Sequence, residues 1–316
     1  MSIITSCNYH KGQLPIQKLK KDIFINQLSD SSFFFDIRSV FFYKNKFFIS
    51  DYNRDNILIL NRKLKLEKTL GNKGKGPGEL LGASHLFIYQ DHIFIINDGK
   101  KTIEVFGFND YLRTINIPQS ISLSSDIRFC LQEGKVLLTN FHLTSSICAL
   151  SLGSDSILWF GNLKKFETQK ETRIKNKRHL HVMGDRIISI PDCQSKIEIY
   201  NMSGEILLDY EFQNIDLVNQ LLKFTEKQKQ DINSYYQLFP DSYIFENKLF
   251  ILTLSVGEND RLQCNKIIQF EMINNTILPK RIFHLGNGWF GPICVTGENI
   301  LAYNQTNAEL TLYNYE

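Results

Sequence analysis

Several strand-length apolar runs in this chain open on cationic or imidazole side chains: Arg38, Ser84-His85, Arg128 and Arg178-His179. If such groups converge they bind an anion, because a guanidinium offers a planar fork of N–H donors that matches a carboxylate at two points. The ligand implied is a carboxylate, an acidic sugar or a peptide terminus, with Arg38, His85, Arg128, Arg178 and His179 as candidate ligand-binding residues. The competing reading is structural, since arginines near strand ends also bind loop carbonyls of a neighbouring unit. His179 and His181 lie two apart, hence on one face of a strand, and a transition metal is the chemistry such a pair suggests. A lone i, i+2 pair is a weak signal. Carboxylates are scarce at these strand starts, so a hard divalent cation finds few oxygen ligands. No metal site, cofactor or catalytic residue is assigned.

Other chemistries fall away on inspection. There is no G-x-S-x-G nucleophile motif. Cys130, Cys148, Cys193, Cys264 and Cys294 are widely spaced, without the C-x-x-C pairs of a zinc site. Cys130, Cys148 and Cys294 sit within apolar strands, where cysteine acts as a small hydrophobe. The turn Gly71-Asn72-Lys73-Gly74-Lys75-Gly76-Pro77-Gly78-Glu79 invites a phosphate cradle, since consecutive amides of a glycine-rich turn hold anions. Yet it leads into the strand Leu86-Phe87-Ile88-Tyr89, whereas a phosphate loop needs a helix N-terminus. A partial echo at Leu285-Gly286-Asn287-Gly288-Trp289-Phe290-Gly291-Pro292 favours a structural crossover between units.

The elements that must position these residues recur. Lys46–Asp51 and Asn56–Asn61 are strand-length, rich in β-branched and aromatic residues, and joined by the polar turn Tyr52-Asn53-Arg54-Asp55. Ile57, Leu58, Ile59 and Leu60 are apolar in succession, so both faces of that strand must be covered. Equivalent pairs begin at Ile93, Val136, Ile187, Leu249 and Ile300, spaced 43 to 62 residues apart. The offset within a pair is 10 or 11 residues, except for 18 in the fifth, which holds the insertion Gly257–Arg261. Repeats of this size mark radially stacked sheets. Six units are predicted: an all-β, six-bladed propeller of four-stranded antiparallel blades. Inner strands are expected at Val40–Tyr43, Leu86–Tyr89 and Tyr243–Phe245. The sixth unit lacks an outer strand, and Ile16–Leu28 is expected to supply it, closing the ring.

Two inserts break the rhythm. Gly161–Arg178 is basic, but interspersed Glu167 and Glu171 make it a solvated link and not a nucleic-acid patch. Asp216–Gln237, between blades 4 and 5, has helical spacing at Leu217, Leu221 and Phe224. Thr225-Glu226-Lys227-Gln228 reads as a capping box opening a second helical turn through Ile232 and Tyr235. Such an insert docks on the rim of one mouth, or else serves as a lid or partner surface. Composition is that of a globular chain of 316 residues, 43% hydrophobic and 22% charged, with a net charge of +3. No field for nucleic acid or membrane follows from so small a charge, and no apolar run reaches the length of a membrane span.

The string Gly71…Gly74…Gly76-Pro77-Gly78-Glu79-Leu80 resembles the G-x-x-G-x-G-P-G-E turn of six-bladed β-propeller proteins of Bacteroidetes, related to NHL-repeat and TolB-like propellers. The blade pattern extends that resemblance over nearly the whole chain. It implies a cell-envelope location, and Ile4-Thr5-Ser6-Cys7 resembles the lipobox with which such leaders often end, making Cys7 the lipidation candidate. The six residues before Cys7 are short for an export signal. Made as written, the protein stays in the cytoplasm; with a fuller leader it is a periplasmic or outer-membrane lipoprotein. Residues 1–15 are accordingly a leader or tether, and residues 16–316 one propeller domain. The function expected is a non-enzymatic binding or scaffold module presenting the channel mouth to a peptide, glycan or protein partner. The alternative, from the resemblance of propeller lactonases and lyases to this fold, is a hydrolase or lyase with a metal in the channel.

Overall fold

Strands that are apolar on both faces need a sheet on either side, and the computed structural model provides one for each. It describes residues 13–142, 144–154, 156–228, 235–273 and 276–315. In Asn56–Asn61, Ile57 and Ile59 pack against Leu86, Ile88, Ile93 and Ile95 of the next sheet. The intervening Leu58 and Leu60 pack against Cys294, Leu301 and Leu310 of the last one. Alternate side chains of one strand thus serve two different interfaces, the period of two expected of a strand.

Six antiparallel sheets follow in chain order. Blade 1 is Ile37–Tyr43, Lys46–Asp51, Asn56–Asn61 and Leu66–Leu70; blade 2 is Ala83–Tyr89, His92–Asn97, Thr102–Phe106 and Tyr111–Asn116. Blade 3 is Phe129–Gln132, Lys135–His142, Ser145–Ser151 and Ile157–Asn162; blade 4 is Arg178–Met183, Arg186–Pro191, Lys196–Asn201 and Ile206–Glu211. Blade 5 is Asp241–Phe245, Lys248–Val256, Leu262–Ile273 and Thr276–His284; blade 6 begins with Phe290–Val295, Asn299–Asn304 and Glu309–Asn314. The inner strand is the first of each blade. Three of them begin earlier than their apolar runs, at Ile37, Ala83 and Asp241.

The N-terminal segment closes the ring, and it does more than the pattern predicts. Lys20–Ile25 pairs antiparallel with Glu309–Asn314 as the outer strand of blade 6. Just before it, Ile16–Lys18 pairs parallel with Thr276–His284, adding a fifth strand to blade 5. Leu19, buried between the two pairings, donates its N–H to the His284 carbonyl at 3.0 Å. One segment therefore ties two neighbouring blades.

Both inserts carry a helix. The basic link contains α1 (Gln169–Lys175), capped by the Thr168 hydroxyl, which accepts from the Glu171 N–H at 3.1 Å. Helix α2 (Asp216–Lys227) buries Leu217, Val218, Leu221 and Thr225. The first three join the core formed with blades 4 and 5, so the helix docks by its apolar stripe. Phe224 is half-buried. The capping box does not form: Thr225 lies inside α2 and its hydroxyl donates back to the Leu222 carbonyl at 3.0 Å. The further turn expected through Ile232 falls outside the described residues, and Tyr235 carries no regular structure.

The glycine-rich turn holds an anion after all, and that anion is Glu79 of the same motif. Asn72–Lys73 and Glu79–Leu80 pair in parallel, folding the turn onto itself. The Gly76 N–H donates to the Glu79 carboxylate at 2.6 Å, and Lys100 donates to the Gly76 carbonyl at 3.2 Å. Gly74 has φ of 157°, and a Cβ there would land on the Glu79 carboxylate. Gly74→Ala should therefore lower stability by about 1–3 kcal/mol, the usual cost of a strained non-glycine backbone position. A urea midpoint unchanged from the parent would show that the turn yields at no cost.

Candidate functional site

The inner strands of all six blades run together around the axis, and two cavities lie along it. The deeper one, about 150 Å³, is walled by residues such as Phe41, Phe87, His179, His181, Asp241 and Tyr243. The outer one, about 400 Å³, opens at the end where the inner strands begin, among Arg38, Asp126, Tyr235, Tyr236, Trp289 and Gln305. His85 and Arg128 belong to both, forming the floor of the mouth and the roof of the channel.

One register position lines this axis. Counting eight residues back from Phe47, Ile93, Val136, Ile187, Leu249 and Ile300 gives Ser39, His85, Arg128, His179, Asp241 and Pro292. All six wall one of the two cavities. Ser39, Asp241 and Pro292 are not among the residues singled out from the sequence, and Asp241, the charged one of the three, escapes because Asp241-Ser242 precedes the hydrophobic part of its strand. The repeat offset was the available signal.

Asp241, on the inner strand of blade 5, ties its own blade to blades 3, 4 and 6. Its Oδ1 lies 3.0 Å from Arg128 Nη1 of blade 3 and 3.6 Å from His179 Nδ1 of blade 4. Its Oδ2 accepts the Ile293 N–H of blade 6 at 2.7 Å. Arg128 also donates through Nη2 to the Pro240 carbonyl at 3.2 Å. On its other side, His179 Nε2 lies 3.0 Å from Asp192 and 3.1 Å from the Phe239 carbonyl. Burial opposes charge on Asp241, but Arg128 and His179 outweigh it and hold the carboxyl at about 2. Burial likewise opposes charge on His179, and the Asp192 and Asp241 carboxylates prevail, raising it above the usual imidazole range. The two other channel histidines go the opposite way. Burial, and then the charge of His179, push His181 down to about 3. Burial, and then Arg128, hold His85 well below its ordinary value. The neutral His181 pairs with the Ser242 hydroxyl at 2.8 Å.

The five residues singled out from sequence divide. Arg38, His85 and Arg128 meet at the mouth, and His179 lies deeper in the channel. Arg178 joins neither cavity. It is enclosed between sheets, bound to Glu198, to the Asn162 carbonyl of blade 3, and to the Ser189 hydroxyl at 3.1 Å. For this residue the structural reading holds: next-door residues on a strand face opposite sides, so Arg178 and His179 cannot share a site. Arg38 occupies the register of Arg178 but reaches the mouth, where a register shift between Ile37 and Ser39 redirects it. It stacks over the Tyr52 ring at 5.0 Å and pairs with Asp36 at 2.7 Å. Cys7 lies outside the described residues. Among the described residues no group of three or more His, Cys, Asp or Glu is placed to hold a metal ion. His179 and His181 are each engaged by protein partners, so the residues present do not fit a channel metal. No helix among the described residues is long and apolar enough to cross a membrane.

Comparison with known proteins agrees with this architecture. The sequence model of a protein family, DUF5128, described as a 6-bladed beta-propeller, matches residues 26–253. No curated protein matches the sequence. Among solved structures, a protein of Bacteroides fragilis described as exported superposes with TM-score 0.61 at 13% identity, covering 95% of this chain and 98% of its own. A DUF4221 member from Bacteroides vulgatus gives 0.62 at 9% identity, covering 94% and 97%. A virginiamycin B lyase from Staphylococcus aureus gives 0.55 at 12%, covering 94% and 100%. At these identities the likeness is one of fold.

The channel histidines dictate a pH response. His181 and His85 have folded pKa values below the unfolded one, so below about 6.5 the unfolded chain binds protons that the folded one refuses, and stability falls as pH drops. His179 has the opposite sign: its stabilisation is complete below about 6.5 and is lost as pH rises through its folded pKa. His181→Gln should therefore flatten the fall in urea midpoint between pH 6.5 and pH 4, and a slope equal to the parent's would refute the assignment.

Proposed function

The chain belongs to the DUF5128 family of six-bladed β-propellers, and from that premise we propose that it is a binding module of the cell envelope, not an enzyme, whose site is the channel mouth. The observation that carries this reading is the polar-aromatic cavity of about 400 Å³ at that mouth. Its size falls in the range of small-ligand sites, roughly 300–1,000 Å³. Arg38 and Arg128 are among its walls, while their carboxylate partners Asp36 and Asp241 are not. Both cations thus line the cavity while their own counter-charges do not, and the carboxylate that does line it, Asp126, is paired with Lys177; an anionic ligand presented as a carboxylate suits this arrangement.

The envelope location is supported by the resemblance of Ile4-Thr5-Ser6-Cys7 to a lipobox, with Cys7 as the lipid-bearing residue. The exported description of the Bacteroides fragilis neighbour supports it too. Kinship with NHL-repeat and TolB-like propellers rests on the Gly71–Leu80 string. A lactonase-like hydrolase or lyase remains the competing class, without a ligand set in the channel to favour it.

The chain has two tryptophans, so Trp159→Phe leaves Trp289 as the sole indole reporter at the mouth. Titration with simple carboxylates, acidic sugars and short peptides should give a saturable change in its emission. Arg38→Met should weaken that binding about tenfold, the loss of one charge-assisted hydrogen bond. Calorimetric binding that neither moves Trp289 emission nor responds to Arg38→Met would place the site elsewhere.

A further inference from the structure

Trp289 is 39% exposed, whereas its strand neighbour Phe290 is 1% exposed. Its backbone is clamped: the N–H donates to the Thr306 hydroxyl at 3.0 Å, and the carbonyl accepts the Gln305 N–H at 2.8 Å. Gly288 before it has φ of 137°, and a Cβ there would strike the Asn304 side-chain amide. The turn is therefore built to hold an indole at the cavity wall without burying it. A fixed aromatic face needs little ordering on binding.

The walls around it are polar and incompletely engaged. Gln305 donates through Nε2 to the Gly291 carbonyl at 3.2 Å, and its Oε1 has no partner among the described residues. Arg38 gives Nη2 to Asp36, and its buried Nε has no partner among the described residues. A ligand matching this wall has one flat apolar face, hydroxyls around its edge and a carboxylate at one end. A pyranose ring with a carboxylate has that form: its C–H face covers an indole, its hydroxyls reach amides, and its carboxylate reaches a guanidinium.

We propose that the mouth binds an acidic saccharide, with a sugar ring stacked on Trp289 and its carboxylate held by Arg38. This rests on the mouth being the binding site and narrows the ligand to one class. The test uses trigalacturonate, galactotriose and a tripeptide with a free carboxylate, measured by calorimetry and by Trp289 emission in the Trp159→Phe background. Trigalacturonate should bind at least tenfold more tightly than galactotriose. Trp289→Ala should weaken both sugars at least tenfold with an unchanged thermal midpoint. Arg38→Gln should reduce trigalacturonate to the affinity of the neutral sugar. Equal binding of the two sugars overturns the carboxylate assignment, and trigalacturonate binding unaffected by Trp289→Ala overturns the stacking. If Trp289 responds to the tripeptide, or to other carboxylates, and to neither sugar, the saccharide is wrong while the mouth stands as the site. Saturable binding that never perturbs Trp289 overturns both.

Discussion

Every blade of this molecule is a small sheet that cannot stand in water on either face. Ile57 and Ile59 face one neighbour, and Leu58 and Leu60 the other, so removing any blade would expose apolar surface on two more. An open stack of such sheets would leave its first and last faces bare, and only closure removes both. Here closure is made by chain ends far apart in sequence: Lys20–Ile25 completes blade 6 beside Glu309–Asn314. The ion pair of Lys21 with Glu309 at that seam is half-exposed on the lysine side and contributes little. The work of closing falls to backbone pairing and to Leu19, which seats itself between blades 5 and 6.

What the amino-acid pattern reveals of this follows from which interactions leave a periodic trace. Buried strand pairs do, so the six units are legible from Lys46–Asp51 onward without any structure. The three-residue parallel pairing of Ile16–Lys18 leaves none: it is too short for alternation and borrows its register from Thr276–His284. Helix α1 is seven residues long and buries nothing, so no apolar stripe announces it. Thr225 illustrates the reverse error. Threonine followed three residues later by glutamine suits a helix start, yet a hydroxyl inside a helix can bond back to a preceding carbonyl, and the packed neighbours Leu217, Val218 and Leu221 decide the matter. The glycine-rich turn was chemically legible as an anion cradle. Its occupant, Glu79, stood within the motif itself.

The channel was half-legible for a similar reason. Hydrophobic runs locate strands but start counting only where the hydrophobes start, so Asp241 and Ser242, polar and at the strand's head, drop out. The repeat offset restores them, since Ser39, His85, Arg128, His179, Asp241 and Pro292 share one position. Residue type alone could not separate Arg38 from Arg178, which also share a position. A register shift in blade 1 sends the first to the mouth, while regular pairing along the inner strand of blade 4 keeps the second between sheets.

The floor of the mouth is where this ring departs from the economy of its core. Between blades, packing is mostly apolar, filled by large side chains such as Phe129, Phe250 and Phe290, with the enclosed Arg178–Glu198 pair as an exception. At the axis the same fold buries Asp241, His179 and Asp192 and half-buries Arg128, in one network across three blades. Desolvating such charges consumes most of what their attraction returns, and well-packed hydrophobes of similar volume would hold the blades equally well. Two further imidazoles, His85 and His181, are held neutral against their own preference at a cost that grows with acidity. Packing alone gives no reason for these groups. Their cost falls at the one place where the channel meets the outer cavity, beside Arg38 and the exposed face of Trp289. The binding site proposed at that junction would give this charge a purpose that packing does not: Asp241 fixes Arg128 at the cavity floor, and a ligand there would meet a guanidinium already oriented.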